Sequence, residues 1–206
     1  MTPGFHADLP PERQADRPVT EIELKARVAD PAAVENRLRQ FCAFAGETDK
    51  NDRYWQNSAG LRARIREETG RPAVLTWKQK TLAGGIEVNE ENEFSVSSAA
   101  QAAAFLSAAG FTPVLCKKKH TKTFRFSLDG GQAASLELSD VYGLGFFLEI
   151  EICLQQPDTR QTEAAKRILR ELLAKAGLPE QAVEPRYYSE LLALKSESAR
   201  KSSVEK

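Results

Sequence analysis

The segment TEIELKARV carries two carboxylates and an amine at alternating positions, Glu21, Glu23 and Lys25, with apolar residues between them. Successive side chains of a β-strand point to opposite faces, so this spacing predicts a strand with one charged and one apolar face. Carboxylate oxygens bind hard divalent cations such as Mg²⁺ or Mn²⁺, and a lysine ammonium group binds phosphate oxygens. The charged face is therefore either ordinary surface or the lining of a site for a metal and an anion.

Five further segments alternate in the same way, and each has one charged face. The segments LRARIRE, VLTWKQK and KKKHTKTFRF are rich in bases, whereas GIEVNEENEFSV and FLEIEI are rich in acids. An antiparallel sheet with one solvated face gives the same alternation. These charged faces, however, consist almost entirely of Glu, Lys and Arg, which favours a sheet that curls around a polar cavity.

Like charges that line such a cavity repel one another at reduced dielectric, so the cavity requires counterions. A polyanion would satisfy the Lys and Arg groups, and divalent cations would satisfy the Glu groups. A metal-bound triphosphate supplies both. The sequence contains neither a GxxxxGK[ST] phosphate loop nor a GxGxxG dinucleotide motif, so phosphate binding would depend on side chains.

The motif EIELK resembles the ExExK signature of the CYTH superfamily, the triphosphate tunnel metalloenzymes, which include class IV adenylate cyclases, thiamine triphosphatases and inorganic tripolyphosphatases. Further matches follow in order along the chain: DRYW, the RxR pair of LRARIRE, the lysine of TWKQK, the ExE of EENEF, and GLGFFLEIEI. The resemblance covers residues 20–194 and is closest to the class IV adenylate cyclase-like branch. It implies an α+β fold, an eight-stranded antiparallel β-barrel that forms a tunnel open at both ends, with flanking helices.

The resemblance also implies roles for individual residues of this sequence. The catalytic residues would be Glu21, Glu23, Lys25 and Glu151. A divalent metal, Mg²⁺ or Mn²⁺, would be bound by Glu21, Glu23, Glu91, Glu93, Glu149 and Glu151. The phosphates of the substrate would contact Lys25, Arg62, Arg64, Lys78, Lys117, Lys119 and Arg125. Asp140 falls where the family often places another acid.

Several positions leave alternatives open. Thr121 stands where the family often has an arginine, and bases on the same strand would supply the missing charge. His120 and Lys122 share parity with apolar residues, so we expect them outside the tunnel. Arg66 and Lys80 lie near predicted strand ends, where solvated surface is an equal alternative. Any single tunnel residue could instead form an ordinary cross-strand ion pair.

Two reactions suit such a site, and they differ in the nucleophile. In a cyclase, the ribose 3′-hydroxyl attacks the α-phosphorus of ATP, and pyrophosphate leaves. In a triphosphatase, water attacks a phosphoryl group of tripolyphosphate or thiamine triphosphate. We expect a metal-dependent cyclase that forms cyclic AMP, with hydrolysis as the alternative. A non-catalytic polyphosphate-binding module and a purely structural sheet are the remaining interpretations.

Helical spacing and capping residues predict four helices that would flank the strands. The first lies in DPAAVENRLRQFCAF after an Asp30 cap, and the second lies in SSAAQAAAFLSAAG. A third is predicted from Thr162 to Gly177. The last covers PRYYSELLAL, whose tyrosines we expect to pack against the barrel. Residues 1–18 and 196–206 are predicted to be a disordered leader and tail around a single domain, residues 19–195.

The chain has no net charge that would attract a highly charged partner such as nucleic acid. The 206 residues contain 29 Lys and Arg and 29 Asp and Glu, so no basic field favours nucleic acid. We find no signal peptide and no apolar run that would span a bilayer, and we expect a cytoplasmic protein. Cys42, Cys116 and Cys153 are expected to be reduced and partly buried. The resemblance allows a homodimer, although no apolar stripe indicates one.

Overall fold

The computed structural model describes residues 19–195, apart from the side chains of residues 78–80 and 83. The predicted leader and tail lie outside the described residues. The same is true of the side chains of Lys78 and Lys80, although the backbone of both residues lies in a strand.

Eight strands and four helices make up this part of the chain. The strands are β1 Val19–Val28, β2 Ala43–Gln56, β3 Arg62–Glu68, β4 Ala73–Ala83, β5 Ile86–Val96, β6 Thr112–Ser127, β7 Ala133–Val141 and β8 Gly145–Gln155. The helices are α1 Pro31–Phe41, α2 Ala99–Ala108, α3 Thr159–Lys175 and α4, residues 188–195, and 3₁₀ turns cover Asp129–Gly131 and Glu180–Ala182. Antiparallel neighbours close into one barrel in the order β1-β5-β4-β3-β2-β6-β7-β8. This confirms the predicted α+β barrel with flanking helices.

The six segments with alternating side chains all form strands, but alternation did not identify β2 and β7. In β2 the pairing register with β6 shifts between Phe44 and Gly46 and again between Tyr54 and Trp55. Such irregularities break the period of two that a regular strand shows. In β7 the polar face carries serines beside Glu137, so its charge is too sparse to resemble the other strands.

The helix ends follow the capping residues. Asp30 accepts a hydrogen bond from the backbone N–H of Ala33 at 3.0 Å, and α1 begins at the next residue, as predicted. Helix α3 begins at Thr159 rather than at the predicted Thr162. The reason is a reciprocal capping box between Asp158 and Gln161, which starts the helix three residues earlier.

The apolar faces of the strands point outward and pack beneath the helices. Ile22 and Leu24 of β1 are fully buried in the main core together with Leu169 of α3. A second core joins Trp55 and Ile65 of the barrel to α2. The charged faces of the same strands therefore point into the barrel, because neighbouring positions alternate.

Two further expectations concern cysteines and membranes. Cys42 is partly buried as predicted, but Cys116 and Cys153 are exposed, so the prediction was wrong for these two. Within residues 19–195, every helix is too short or too polar to cross a bilayer.

Candidate active site

The barrel encloses a cavity of about 1810 Å³. Eleven of the predicted site residues line it: Glu21, Glu23, Lys25, Arg62, Arg64, Glu91, Glu93, Lys117, Lys119, Glu149 and Glu151. Two others do not. Arg125 is exposed near the end of β6 and lies outside this lining, and the side chain of Lys78 is not described. Asp140 is exposed and lines a second pocket of about 840 Å³.

One wall of the cavity, formed by β5, β1 and β8, is acidic. Glu23 lies opposite Glu87 on β5 and opposite Glu151 on β8, and all three line the cavity. Beside them, Glu21 accepts a hydrogen bond from Asn89 at 3.0 Å. Burial and the neighbouring carboxylate of Glu21 raise the pKa of Glu151 to about 8. Carboxylates gathered in this way favour a cation between them.

The donor set of this wall suits Mg²⁺ or Mn²⁺ chemically, because its ligands are hard carboxylate oxygens. Among residues 19–195, however, no three His, Cys, Asp or Glu side chains already form a cluster that could hold a metal ion. Glu149, one of the predicted ligands, is instead paired with Lys119 at 2.5 Å. The metal site at Glu21, Glu23, Glu91, Glu93, Glu149 and Glu151 stays a prediction.

Buried ion pairs organise the basic side of the cavity. Asp52 is 0% exposed and accepts hydrogen bonds from Arg66 at 2.7 and 3.0 Å, and Lys117 lies 3.1 Å away. Although burial alone would raise it, these cations hold the pKa of Asp52 well below its usual value. Arg66 is only 18% exposed, so the interpretation of Arg66 as a solvated surface residue was wrong.

A second network crosses the barrel from β2 to β8. Glu137 pairs with Lys50 at 2.6 Å and with Lys119 at 3.1 Å, and Lys119 also pairs with Glu149. Burial would raise the pKa of Glu137, but the two lysines lower it to about 2. Lys119 borders both pockets, and the ion pairs of Glu137 lie between them. The closed barrel with its charged interior matches the triphosphate tunnel that the resemblance implied.

Sequence reasoning missed three members of these networks, Lys50, Asp52 and Glu137. It also did not predict that Arg66 points inward. A signal was present for most of them. Lys50, just before the DRYW motif, and Asp52, its first residue, alternate along β2. Glu137 alternates with leucines in SLELS.

Two bases of the cavity lack a carboxylate partner among the residues that the structure describes. The ammonium group of Lys25 donates to the carbonyl oxygen of Arg186 at 2.7 Å, and Arg62 donates to the side chain of Gln56 at 3.0 Å. Arg64 donates to the hydroxyl of Thr76 at 2.9 Å. Charges that are not neutralised by the protein are the ones that an anionic ligand can neutralise.

The segment before α4 closes one side of the cavity. The backbone N–H of Glu184 donates to the carbonyl oxygen of Lys25 at 2.8 Å, and the Glu184 carboxylate pairs with Arg27 and Arg186. This attachment brings Tyr188 against the edge of the Phe147 ring, with 5.1 Å between ring centroids. The predicted packing of Tyr188 on the barrel is confirmed.

The comparisons with known proteins agree with this geometry. The sequence model of the CYTH domain family matches residues 19–188. A conserved hypothetical protein from Pyrococcus furiosus is 28% identical, with a TM-score of 0.70, over 83% of this chain and 99% of its own. The PH1819 protein from Pyrococcus horikoshii is 25% identical, with a TM-score of 0.72, over 85% of this chain and 99% of its own.

A more distant similarity is to HpAC1 from Hippeastrum, a candidate adenylyl cyclase with a dominant triphosphatase activity. It shares the fold at 20% identity, with a TM-score of 0.57, over 85% of this chain and 95% of its own. No curated protein matches the chain.

Proposed function

Because the chain belongs to the CYTH domain family, we propose that it is a divalent-metal-dependent enzyme that acts on a triphosphate bound inside the barrel. The main support is the cavity itself, in which an acidic wall on β5, β1 and β8 faces bases on β3 and β6. The reaction that we propose is the conversion of ATP to cyclic AMP and pyrophosphate, as in class IV adenylate cyclases.

The bases of the cavity would bind the phosphate chain. Lys25 and Arg62 have no carboxylate partner among the described residues and can each donate to a phosphate oxygen without breaking an ion pair. The planar guanidinium of Arg64 can bind two phosphate oxygens, whereas Lys117 and Lys119 act as point charges. Lys78, whose backbone pairs with Glu91 across β4 and β5, would be a further contact.

The acidic wall would hold the metal. We propose that Glu21, Glu23 and Glu151 bind Mg²⁺ or Mn²⁺, with Glu91 and Glu93 as further ligands. When bound, the metal neutralises phosphate charge and lowers the pKa of the attacking hydroxyl. Glu149 is the least suitable of the predicted ligands, because Lys119 already occupies its carboxylate.

The chain's own residues align the substrate and stabilise charge during an in-line displacement. In the cyclase reaction, the 3′-hydroxyl oxygen forms a bond to the α-phosphorus and loses its proton, while the bond to pyrophosphate breaks. Bases around the phosphate chain neutralise the negative charge that collects on the leaving pyrophosphate.

The alternative is hydrolysis of inorganic tripolyphosphate or thiamine triphosphate by the same charged cavity. One observation supports this alternative. The described cavity residues that would contact phosphate are charged side chains, and they can bind a phosphate chain that carries no nucleobase. HpAC1, which shares the fold, combines a cyclase description with a dominant triphosphatase activity. A polyphosphate-binding module without turnover is the third candidate. We also propose a cytoplasmic location and a homodimer.

Identification of the products separates these candidates. The purified protein is incubated with Mg²⁺ or Mn²⁺ and, in parallel, with ATP, thiamine triphosphate or tripolyphosphate, and the products are separated by chromatography. Cyclic AMP with pyrophosphate supports the cyclase, and free phosphate supports the triphosphatase. Binding without any product supports the module.

The matched variants are Glu23→Gln in the cavity and Glu163→Gln on the outer surface of α3. We expect Glu23→Gln to lower kcat by about 10²-fold or more, because a metal ligand is lost. Glu163→Gln keeps the wild-type rate. Equal rates in both variants would contradict the proposed metal site.

A further inference from the structure

Tyr188 lies at the cavity wall in contact with two of its lysines. The ammonium nitrogen of Lys25 is 4.6 Å from the centroid of the Tyr188 ring, and that of Lys117 is 4.5 Å away. The edge of Phe147 holds the ring from another side, at an interplanar angle of 84°. The Tyr188 ring thus has two cations within cation–π distance.

The hydroxyl group of Tyr188 is buried without a partner. The side chain is 9% exposed, and its oxygen makes no hydrogen bond of regular geometry within the described part of the chain, although the carboxylate of Glu149 lies near it. A buried hydroxyl that lacks a hydrogen bond is costly, so it indicates a partner that the protein itself does not supply. Burial and the carboxylates of Glu149 and Glu23 raise the pKa of Tyr188 well above its usual value, so the group keeps its proton and acts as a donor.

The two lysines beside this donor can attract an anion. Lys25 has no carboxylate within ion-pair distance in residues 19–195, and Lys117 shares the single carboxylate of Asp52 with Arg66. The nearby carboxylate of Glu149 is paired with Lys119. Lys25 and Lys117 together thus form an ion pair with one carboxylate, which Arg66 shares, although Glu23 and Glu149 also lie near the Tyr188 hydroxyl.

We propose that Tyr188 is a phosphate-binding residue, whose hydroxyl donates to a phosphate oxygen that Lys25 and Lys117 also contact. This inference rests on the proposed function, because it requires a triphosphate in the cavity. It extends the role of Tyr188 beyond packing, since packing needs the ring but not the hydroxyl.

The test compares Tyr188→Phe with Tyr142→Phe. The first variant removes the hydroxyl but keeps the ring that contacts Phe147 and both lysines. The second removes the hydroxyl of a tyrosine that is 83% exposed and outside the main cavity. Isothermal titration calorimetry then gives the Kd of each variant for inorganic tripolyphosphate, with and without Mg²⁺, and differential scanning calorimetry gives the Tm.

We expect Tyr188→Phe to raise the Kd for tripolyphosphate about tenfold or more, because a hydrogen bond to a charged group is lost. Tyr142→Phe should leave the Kd unchanged. The Tm of Tyr188→Phe should equal or exceed that of the wild type, because the removed hydroxyl has no partner in the protein. For any substrate that is turned over, KM should rise more than kcat falls.

Three results would overturn the inference. If wild-type protein binds tripolyphosphate and Tyr188→Phe binds it with the same Kd, the hydroxyl does not contact phosphate. The proposed function is then unaffected. A marked fall in Tm shows that the hydroxyl has a structural partner. If wild-type protein does not bind tripolyphosphate, the inference fails, whereas the proposed function fails only if the protein also forms no product from ATP.

Discussion

Replacing Asp52 by Asn tests whether one buried carboxylate organises the basic side of the cavity. Asp52 is 0% exposed and serves Arg66 through two hydrogen bonds and Lys117 through an ion pair. Removing one partner of such a buried pair costs about 3–5 kcal/mol, because the remaining charges stay buried. At about 2–4 °C per kcal/mol for a domain of this size, we expect Asp52→Asn to lower the Tm by about 6–20 °C at pH 7.

The pH dependence of the stability difference is a second test of the role of Asp52. The folded-state pKa of Asp52 lies well below its ordinary value of 3.8, so its contribution is complete above that value. It is lost as the pH falls through the folded-state pKa. The difference between wild type and Asp52→Asn should therefore be constant from pH 5 to 7 and shrink in strong acid.

The control for this prediction is Asp140→Asn, which changes an exposed carboxylate outside the main cavity. A substitution at such a surface position usually changes stability by about 0.5 kcal/mol or less. Thermal unfolding monitored by circular dichroism measures both variants. If Asp52→Asn melts within 2 °C or so of Asp140→Asn, the ion pairs of Asp52 do not hold the cavity together.

The remaining predictions concern the segments that support the barrel. Hydrogen bonds from Arg186 and Arg27 lower the pKa of Glu184 to about 2, so Glu184→Gln should lower the free energy of unfolding by about 1–2 kcal/mol at pH 7. In urea titrations this loss should diminish as the pH falls from 4.5 towards 2, and a loss that does not depend on pH would contradict the reasoning. Asp158→Ala should cost about 1 kcal/mol in the same assay, because it removes the capping box of α3. An unchanged urea midpoint would show that the cap does not contribute.

Which side chains face the cavity could be predicted from the sequence wherever a strand is regular. The alternation around Glu23 and Arg64 depends only on the period of two, and the structure places both residues in the cavity lining. The barrel itself required the resemblance, because alternation alone also suits an open sheet with a solvated face. Strand β2 escaped detection because its register shifts interrupt the period.

The pairing of charges could not be predicted from the sequence. Lys119 and Glu149 are 30 residues apart and come together only through the register of β6, β7 and β8. The same register brings Glu137 beside Lys119, which turns a predicted phosphate contact into part of a buried network. Local sequence patterns assign a residue to a face, but they do not assign its neighbours across the barrel.

The central claim is that the inward-facing bases of the barrel bind a triphosphate. Lys25→Met tests it most directly, because Lys25 lines the cavity and forms no ion pair with a carboxylate among the described residues. Lys122→Met is the matched control, since Lys122 does not line the cavity and pairs with Glu35 at 2.7 Å.

The measurement is the Kd for tripolyphosphate by isothermal titration calorimetry in wild type and both variants. We predict that the wild type binds, that Lys25→Met weakens binding about tenfold or more, and that Lys122→Met binds like the wild type. A wild type that does not bind, or equal losses in the two variants, would contradict the account.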